Sequence, residues 1–166
     1  MLSINQKLIE FLQSNNIDYI LHEHPAVYTV EEAQKHCYTI PGMHCKNLFL
    51  RDSKTKIFYL VTAPALKQIQ LKVIRKKVKA KKITFARPEE LKEILDLEPG
   101  AVSPFGLIND INNTVPYFID QEVWNAEKVC FHPNMNDQTL ELTRENFISA
   151  VKAFGNNFEV YTYSIE

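Results

Sequence analysis

Gly42-Met43-His44-Cys45-Lys46-Asn47-Leu48-Phe49-Leu50-Arg51-Asp52 runs from a polar, glycine-led segment into an apolar one. Its polar half ends at Lys46-Asn47, and an apolar run of Leu48, Phe49 and Leu50 begins at once. Arg51-Asp52-Ser53 closes that run, and a second apolar run follows over residues 57–63. Two short β-rich runs about a polar turn read as a hairpin. Lys46 and Asn47 then stand at the mouth of a strand entering the core, with a glycine-containing loop ahead of them. A lysine so placed can meet a ligand phosphate or carbonyl, which makes it the first candidate for function.

Upstream, Ser3 and Gln6 have capping-box spacing, and Leu8, Ile9, Phe11 and Leu12 supply an apolar face, so a helix is predicted over residues 4–14. A strand follows over residues 17–22, and Thr29-Val30-Glu31-Glu32 caps a short second helix. Downstream, Leu66, Ile69, Leu71, Ile74 and Val78 keep helical spacing over residues 65–80. The same segment carries Lys67, Lys72, Arg75, Lys76, Lys77 and Lys79, with Lys81 and Lys82 directly after it. Residues 83–85 read as a strand, and Pro88 opens a helix with Glu89 and Glu90 in its first turn. A rigid loop over residues 98–106 precedes predicted strands at 107–108, 115–119, 128–131 and 138–142. Thr143 caps a last helix that Gly155 stops, and a strand over residues 158–163 follows. Strands dominate the middle and helices fall at irregular intervals, which is α+β rather than βαβ alternation.

A chain of 166 residues, 45% hydrophobic and 23% charged, fits one domain over residues 1–166 with its own core. The net charge of −1 excludes bulk attraction to nucleic acid, so any such contact needs a local patch. No apolar run reaches membrane-spanning length and the first residues lack a secretory pattern; no membrane partner and a cytoplasmic location are expected. Cys37, Cys45 and Cys130 form an odd set without disulfide spacing, which suits a reducing compartment.

The common nucleophile-elbow, phosphate-loop, dinucleotide and metalloprotease signatures are missing from the sequence. His36-Cys37 and His44-Cys45 do not have familiar zinc spacing, so neither a metal nor another cofactor is expected. The basic segment has two readings: a solvated face of an amphipathic helix, or a patch that contacts phosphates. Aromatic residues are not interleaved with it, so as a patch it suits a duplex backbone better than stacked bases. Taken alone, His132 reads as a satisfied loop histidine, Thr29 as an N-cap, Lys46 as a snorkelling strand-end lysine and residues 100–104 as a tight turn.

Taken together these features resemble the YbaK/prolyl-tRNA-synthetase-associated editing superfamily. The resemblance is carried by Lys46-Asn47-Leu48-Phe49-Leu50-Arg51-Asp52, Tyr59-Leu60-Val61, Glu98-Pro99-Gly100-Ala101-Val102-Ser103-Pro104-Phe105-Gly106-Leu107-Ile108-Asn109-Asp110 and Phe131-His132-Pro133-Asn134. These motifs fall in family order from His24-Pro25 to Gly155, and they are most like the free-standing branch that clears alanine from tRNA for proline (ProXp-ala, also called PrdX). The resemblance implies a mixed, barrel-like β-sheet flanked by helices and a trans-editing aminoacyl-tRNA deacylase without cofactor. It implies a catalytic Lys46, with Thr29, Val30, Asn47, Gly100, Ala101, Val102, Ser103, Pro104 and His132 at the substrate. It further implies mischarged tRNA(Pro) as partner through its acceptor end, held by Lys67, Lys72, Arg75, Lys76 and Lys79, with prolyl-tRNA synthetase as a further partner.

Chemically, an ester hydrolase needs an activated water and stabilisation of the charge growing on the carbonyl oxygen. Backbone N–H groups near Gly100 could supply the second, Lys46 could clamp the terminal adenosine's phosphate, and the substrate's own 2′-hydroxyl is implied in activating water. Val30, Phe49 and Val102 are expected to wall a pocket that excludes proline. Arg87 stands where relatives often have serine, which predicts a lost helix cap. Removal of cysteine or serine instead, a non-catalytic tRNA-binding module, and a thiol or metal sensor at Cys37 and Cys45 are the alternatives.

Overall fold

A computed structural model describes residues 5–36 and 39–164. The first element is α1 (Gln6–Ser14), where the Asn5 side chain accepts from the N–H groups of Lys7 and Leu8. Asn5 is thus the N-cap, and Ser3, expected in that role, lies outside the described residues. Next come β1 (Ile20–Glu23), α2 (Val30–His36), β2 (Met43–Asp52) and β3 (Phe58–Pro64). Thr29 caps α2 as expected, its Oγ1 accepting from the Glu32 N–H at 3.1 Å. The hairpin is present, but β2 begins at Met43 and pairs Lys46 with Ala63 and Asn47 with Thr62. Both residues therefore lie inside a paired strand rather than at its mouth.

The chain continues through α3 (Leu71–Val78), β4 (Ile83–Phe85), α4 (Pro88–Leu95), β5 (Tyr117–Asp120), α5 (Gln121–Asn125), β6 (Lys128–Phe131), β7 (Gln138–Thr143), α6 (Arg144–Phe154) and β8 (Phe158–Tyr161). The helix expected over residues 65–80 is shorter. Lys67 N–H closes a turn on the Pro64 carbonyl, Gln70 is extended, and only Leu71–Val78 is helical before left-handed Lys79. Lys67 is consequently not a member of the basic helix. Residues 107–108, expected as strand, belong to a 3-10 turn over Pro104–Asn109, preceded by another over Pro99–Ala101. A two-residue apolar run has no period to separate the two outcomes. The first turn of α4 keeps half of its capping box: Arg87 N–H donates to Glu90 Oε1 at 2.9 Å, so the missing serine costs less than expected.

The eight strands form one mixed sheet in the order β1-β7-β6-β2-β3-β5-β8, with β4 also on β2. This is the mixed sheet flanked by helices that the sequence implied, though it stays open, with β1 and β8 at its ends. One edge of β2 is taken by β3 from Cys45 to Arg51. The other edge is shared: β6 runs parallel to it at Met43 and His44, and β4 antiparallel from Leu50 to Asp52. Between them residues 45–49 have no strand on that side among the described residues.

The two faces of the sheet carry separate cores. Phe49, Leu60, Tyr117, Ile119, Phe131 and Leu140 face the main core with α1, α4 and α6; Phe131 stacks on Phe147 at 5.1 Å. Leu50, Tyr59, Val61 and Phe118 face a smaller core closed by Ile74 and Val78 of α3. At the β2–β3 turn, buried Asp52 accepts from the N–H groups of Lys54, Thr55, Lys81 and Lys82. Burial would raise its pKa, but these donors outweigh it and hold the carboxyl well below the usual range.

The 3-10 turn at Pro104–Asn109 sits hard against the end of α4. A Cβ on Gly106 would lie 2.6 Å from Leu97 Cδ1 and 3.2 Å from Leu95 Cβ, both in the main core. Gly106→Ala should therefore cost about 1–3 kcal/mol of stability, read as a lower denaturant midpoint at unchanged slope. An unchanged midpoint would contradict this packing.

Candidate active site

Alternation along β2 sends Lys46, Leu48 and Leu50 to one face of the sheet and Cys45, Asn47 and Phe49 to the other. In an intact sheet such neighbours could not share a pocket. Here Cys45, Lys46 and Asn47 all line one cleft of about 350 Å³, together with Val27, Tyr28, Thr29, Ala33, Ala65, Pro99, Gly100, Val102 and His132. The cleft lies where β6 has ended and β4 has not begun, so side chains from both faces reach it around the open edge.

The Lys46 ammonium donates to the carbonyl of Lys67. Among the described residues it has no carboxylate partner. Burial lowers its pKa from the ordinary lysine value. Lys67 is itself fixed from behind: its Nζ lies 2.7 Å from Asp120 Oδ2, also pairs with Glu122, and stands 5.4 Å over the Tyr163 ring. Burial opposes the Lys67 charge, yet the two carboxylates prevail and its pKa is raised. Lys67, expected as a tRNA contact, instead has a side chain only 22% exposed and committed to two acids. Its backbone helps aim Lys46.

Asn47 ties the strand to the facing loop. Its Nδ2 donates to the Val102 carbonyl at 3.4 Å, while its Oδ1 accepts from Thr62 Oγ1 at 2.5 Å. Thr62 in turn lies 2.7 Å from the buried Tyr117 hydroxyl. Of the loop residues expected at the substrate, Gly100 and Val102 line the cleft. Ala101, Ser103 and Pro104 do not; all three are buried. Ser103 Oγ caps the 3-10 turn by accepting from Phe105 N–H at 3.1 Å, which is a structural duty. Ala101 N–H is spent on the Glu98 carbonyl at 2.9 Å, so it is not an oxyanion donor. Gly100 has no positive φ, and an added Cβ would make ordinary contacts of 3.5 Å with Asn136 and Tyr28. Its value is an open surface rather than a special backbone angle.

On the far wall Val27 N–H donates to the Asn136 carbonyl at 3.3 Å and Asn136 Nδ2 returns a bond to Val27 O at 3.2 Å. His132 Nδ1 lies 3.0 Å from the Gln138 carbonyl, which can only accept, so Nδ1 carries the proton and Nε2 keeps its lone pair. Burial lowers the His132 pKa below the ordinary 6.5, helped by His24 and His44. The ring is neutral at pH 7, a competent hydrogen-bond acceptor at the cleft wall. Behind it a chamber of about 50 Å³ is lined by Ala33, His44, Cys45, Cys130, Phe131, His132 and Thr139. Burial raises the Cys45 pKa, which favours the thiol over a reactive thiolate. Cys37 lies outside the described residues. Among the described residues no cluster of His, Cys, Asp or Glu could hold a metal ion.

Of the expected pocket walls, Val102 faces the cleft, whereas Phe49 lines a separate hollow with Phe85 and Pro88 and stacks on Phe58 at 5.3 Å. The Val30 side chain lies outside what is described. Lys72 and Lys76 flank a groove on α3 together with Lys77, Arg75 donates to the Ala80 carbonyl, and Lys79 ends the helix. Sequence reading missed Val27, Tyr28, Ala33, Thr62, Tyr117 and Asp120. A short polar residue repeated across paired strands, Asn47 opposite Thr62, was the one local hint.

Residues 24–150 match the family described as the aminoacyl-tRNA editing domain. The chain is 40% identical over 154 residues to the prolyl-tRNA editing protein ProX of Acetoanaerobium sticklandii, covering 93% of this chain and 94% of that one. It is 37% identical over 139 residues to prolyl-tRNA synthetase associated domain-containing protein 1 of Mus musculus, covering 81% and 82% of the two chains. Among solved structures, hypothetical protein APE2540 superposes with a TM-score of 0.72 at 19% identity, over 92% and 97% of the chains. A proposed trans-editing enzyme for prolyl tRNA synthetase gives 0.70 at 18% identity, over 98% and 100%. At such identities the structural likenesses speak for the fold alone.

Because the Asn47 side chain bridges β2 to the Val102 carbonyl, Asn47→Ala should speed hydrogen exchange in peptides covering residues 98–106 while leaving α6 protected. It should also cost about 1–3 kcal/mol, since the Thr62 hydroxyl and the Val102 carbonyl lose a partner. Unchanged protection in that loop would show that the tether does not hold it.

Proposed function

The chain belongs to the aminoacyl-tRNA editing domain family and is an aminoacyl-tRNA deacylase; from that premise we propose that it clears alanine from tRNA for proline, in trans to the synthetase. The observation that carries this reading is the meeting of Lys46, Asn47, Val102 and a neutral His132 around one open cleft. The relative named as a prolyl-tRNA editing protein, similar over nearly the whole chain, supports proline's tRNA as the carrier. The working location is the cytoplasm, and the synthetase is a further partner.

In this mechanism water attacks the ester carbonyl carbon, the bond to the ribose oxygen breaks, and the departing oxygen takes a proton. Lys46 clamps the phosphate of the terminal nucleotide and fixes the ester over the open edge of β2. Asn47 Nδ2 has a second hydrogen beyond the one given to Val102, and it donates to the developing oxyanion. That role replaces the loop backbone first expected for it, because Ala101 N–H is already occupied. His132 Nε2, together with the substrate's 2′-hydroxyl, orients and receives a proton from the attacking water. The reaction as written uses no metal.

The chamber behind His132 takes the methyl of alanine, and Ala33, Cys45 and Val102 exclude the proline ring. Exclusion is needed, because a hydrophobic pocket gains only about 1–3 kcal/mol per methylene. Lys72, Arg75, Lys76 and Lys79 hold the acceptor stem through its phosphates, giving salt-sensitive and sequence-independent affinity.

A panel of mischarged tRNAs with wild-type protein and Lys46→Ala tests this reading. Ala-tRNA(Pro) should be cleaved fastest, Pro-tRNA(Pro) spared, and Lys46→Ala slowed by about 100-fold or more. Equal hydrolysis by both forms would end the role of Lys46. Faster release of cysteine or serine would move the specificity, and tRNA binding without any release would leave only a binding module.

The rate should also fall on the acid side, with its limb below pH 6.5 because the base is His132 with a depressed pKa. Neutral imidazole is the active form, so activity is lost as pH drops through the lowered value. The limb should vanish in His132→Gln, and a limb retained in that variant would assign it to another group.

A further inference from the structure

Tyr28 stands on the cleft's rim as a large aromatic residue 75% accessible to solvent. Its chain neighbours are anchored. Val27 is buried and strapped to Asn136 by two hydrogen bonds, and Thr29 is fixed as the cap of α2. The backbone under Tyr28 is therefore held while the ring stands in water. Among the described residues its hydroxyl has no hydrogen-bond partner and its ring has no aromatic neighbour. Against one part of the ring lies Gly100, where an added Cβ would come within 3.5 Å of Tyr28 Cδ1 and 3.6 Å of Cε1. An exposed aromatic ring on an anchored backbone, lining one cleft with a cation, is an arrangement that takes a nucleotide: phosphate on the ammonium, base on the ring.

Resting on the deacylase reading above, we infer that Tyr28 is the platform on which the substrate's terminal nucleobase stacks, with Lys46 receiving the phosphate of the same nucleotide. The site accordingly takes a nucleotide as one unit. Tyr28 sets its position and does no chemistry. Stacking is tolerant of base identity because every base offers a π-face, so the platform contributes affinity and orientation and leaves the choice of tRNA to other contacts.

Two probes separate the halves of this site: adenosine 5′-monophosphate, which carries both base and phosphate, and ribose 5-phosphate, which lacks the base. Their affinities are measured by NMR titration of wild type, Tyr28→Leu and Tyr28→Phe. Tyr28→Leu should weaken adenosine monophosphate about 5- to 150-fold, the equivalent of one stacked base at 1.4 kcal/mol per tenfold. Ribose 5-phosphate should be unaffected, and Tyr28→Phe should recover most of the loss. With mischarged tRNA, Tyr28→Leu should raise KM more than it lowers kcat.

Equal nucleotide affinity in wild type and Tyr28→Leu, or no saturable nucleotide binding by wild type, overturns the inference. Parallel loss of both probes would assign Tyr28 a general structural role and overturn it as well. Nucleotide stacking as described, without ester hydrolysis on any mischarged tRNA, would sustain the platform while sinking the deacylase reading it was built on.

Discussion

One strand serves two masters on one edge. β2 accepts β6 at Met43 and His44 and β4 from Leu50 onward, and the five residues 45–49 between are left without a strand on that edge among the described residues. Continuous pairing would send Lys46 and Asn47 to opposite faces of a closed surface, each into its own core. The break lets both reach one cleft, and the cleft is where the loop carrying Gly100 and Val102 approaches. Everything chemical about the chain depends on that interruption being held open, because a sheet edge tends to pair if nothing prevents it. Asn47 prevents it by giving its amide to the Val102 carbonyl.

Charge is arranged around the break in two layers. Lys67 is neutralised by Asp120 and Glu122, and Asp120 also caps α5 through Glu122 N–H at 2.9 Å. Such pairs contribute little to stability by themselves, but removing one partner of a buried pair is costly, so the arrangement fixes geometry. Its output is a backbone carbonyl that holds Lys46 without cancelling its charge. A carboxylate in that place would have retained the lysine for itself. The cation thus stays available to a phosphate, and partial burial strengthens whatever ionic contact it makes.

Local signals in the sequence were read correctly where the physics was local. The apolar runs about Arg51 and Asp52 do make a hairpin, Thr29 and Thr143 do cap helices, and Lys128–Phe131 is a strand. Lys46, Asn47, Gly100, Val102 and His132 do line one cleft, as family order implied. What stayed hidden depends on partners far along the chain. Ala101, Ser103 and Pro104 share a motif with Gly100, yet face inward because the 3-10 turns rotate them toward the core. Helical spacing over residues 65–70 is real, but Lys67 is drawn into a turn by Asp120, 53 residues on. Tyr28 carried no signal at all, since exposure is set by what fails to cover it.

The most direct test titrates isotopically labelled protein with adenosine bearing alanine through a 3′-amide, which cannot be hydrolysed as an ester, and follows the NMR signals of the Lys46 ammonium and of the Gly100 and Val102 amides. The account predicts that all three move together and saturate at one ligand concentration. Shifts confined to Lys72 and Lys76 on α3, with the broken edge of β2 silent, would contradict it.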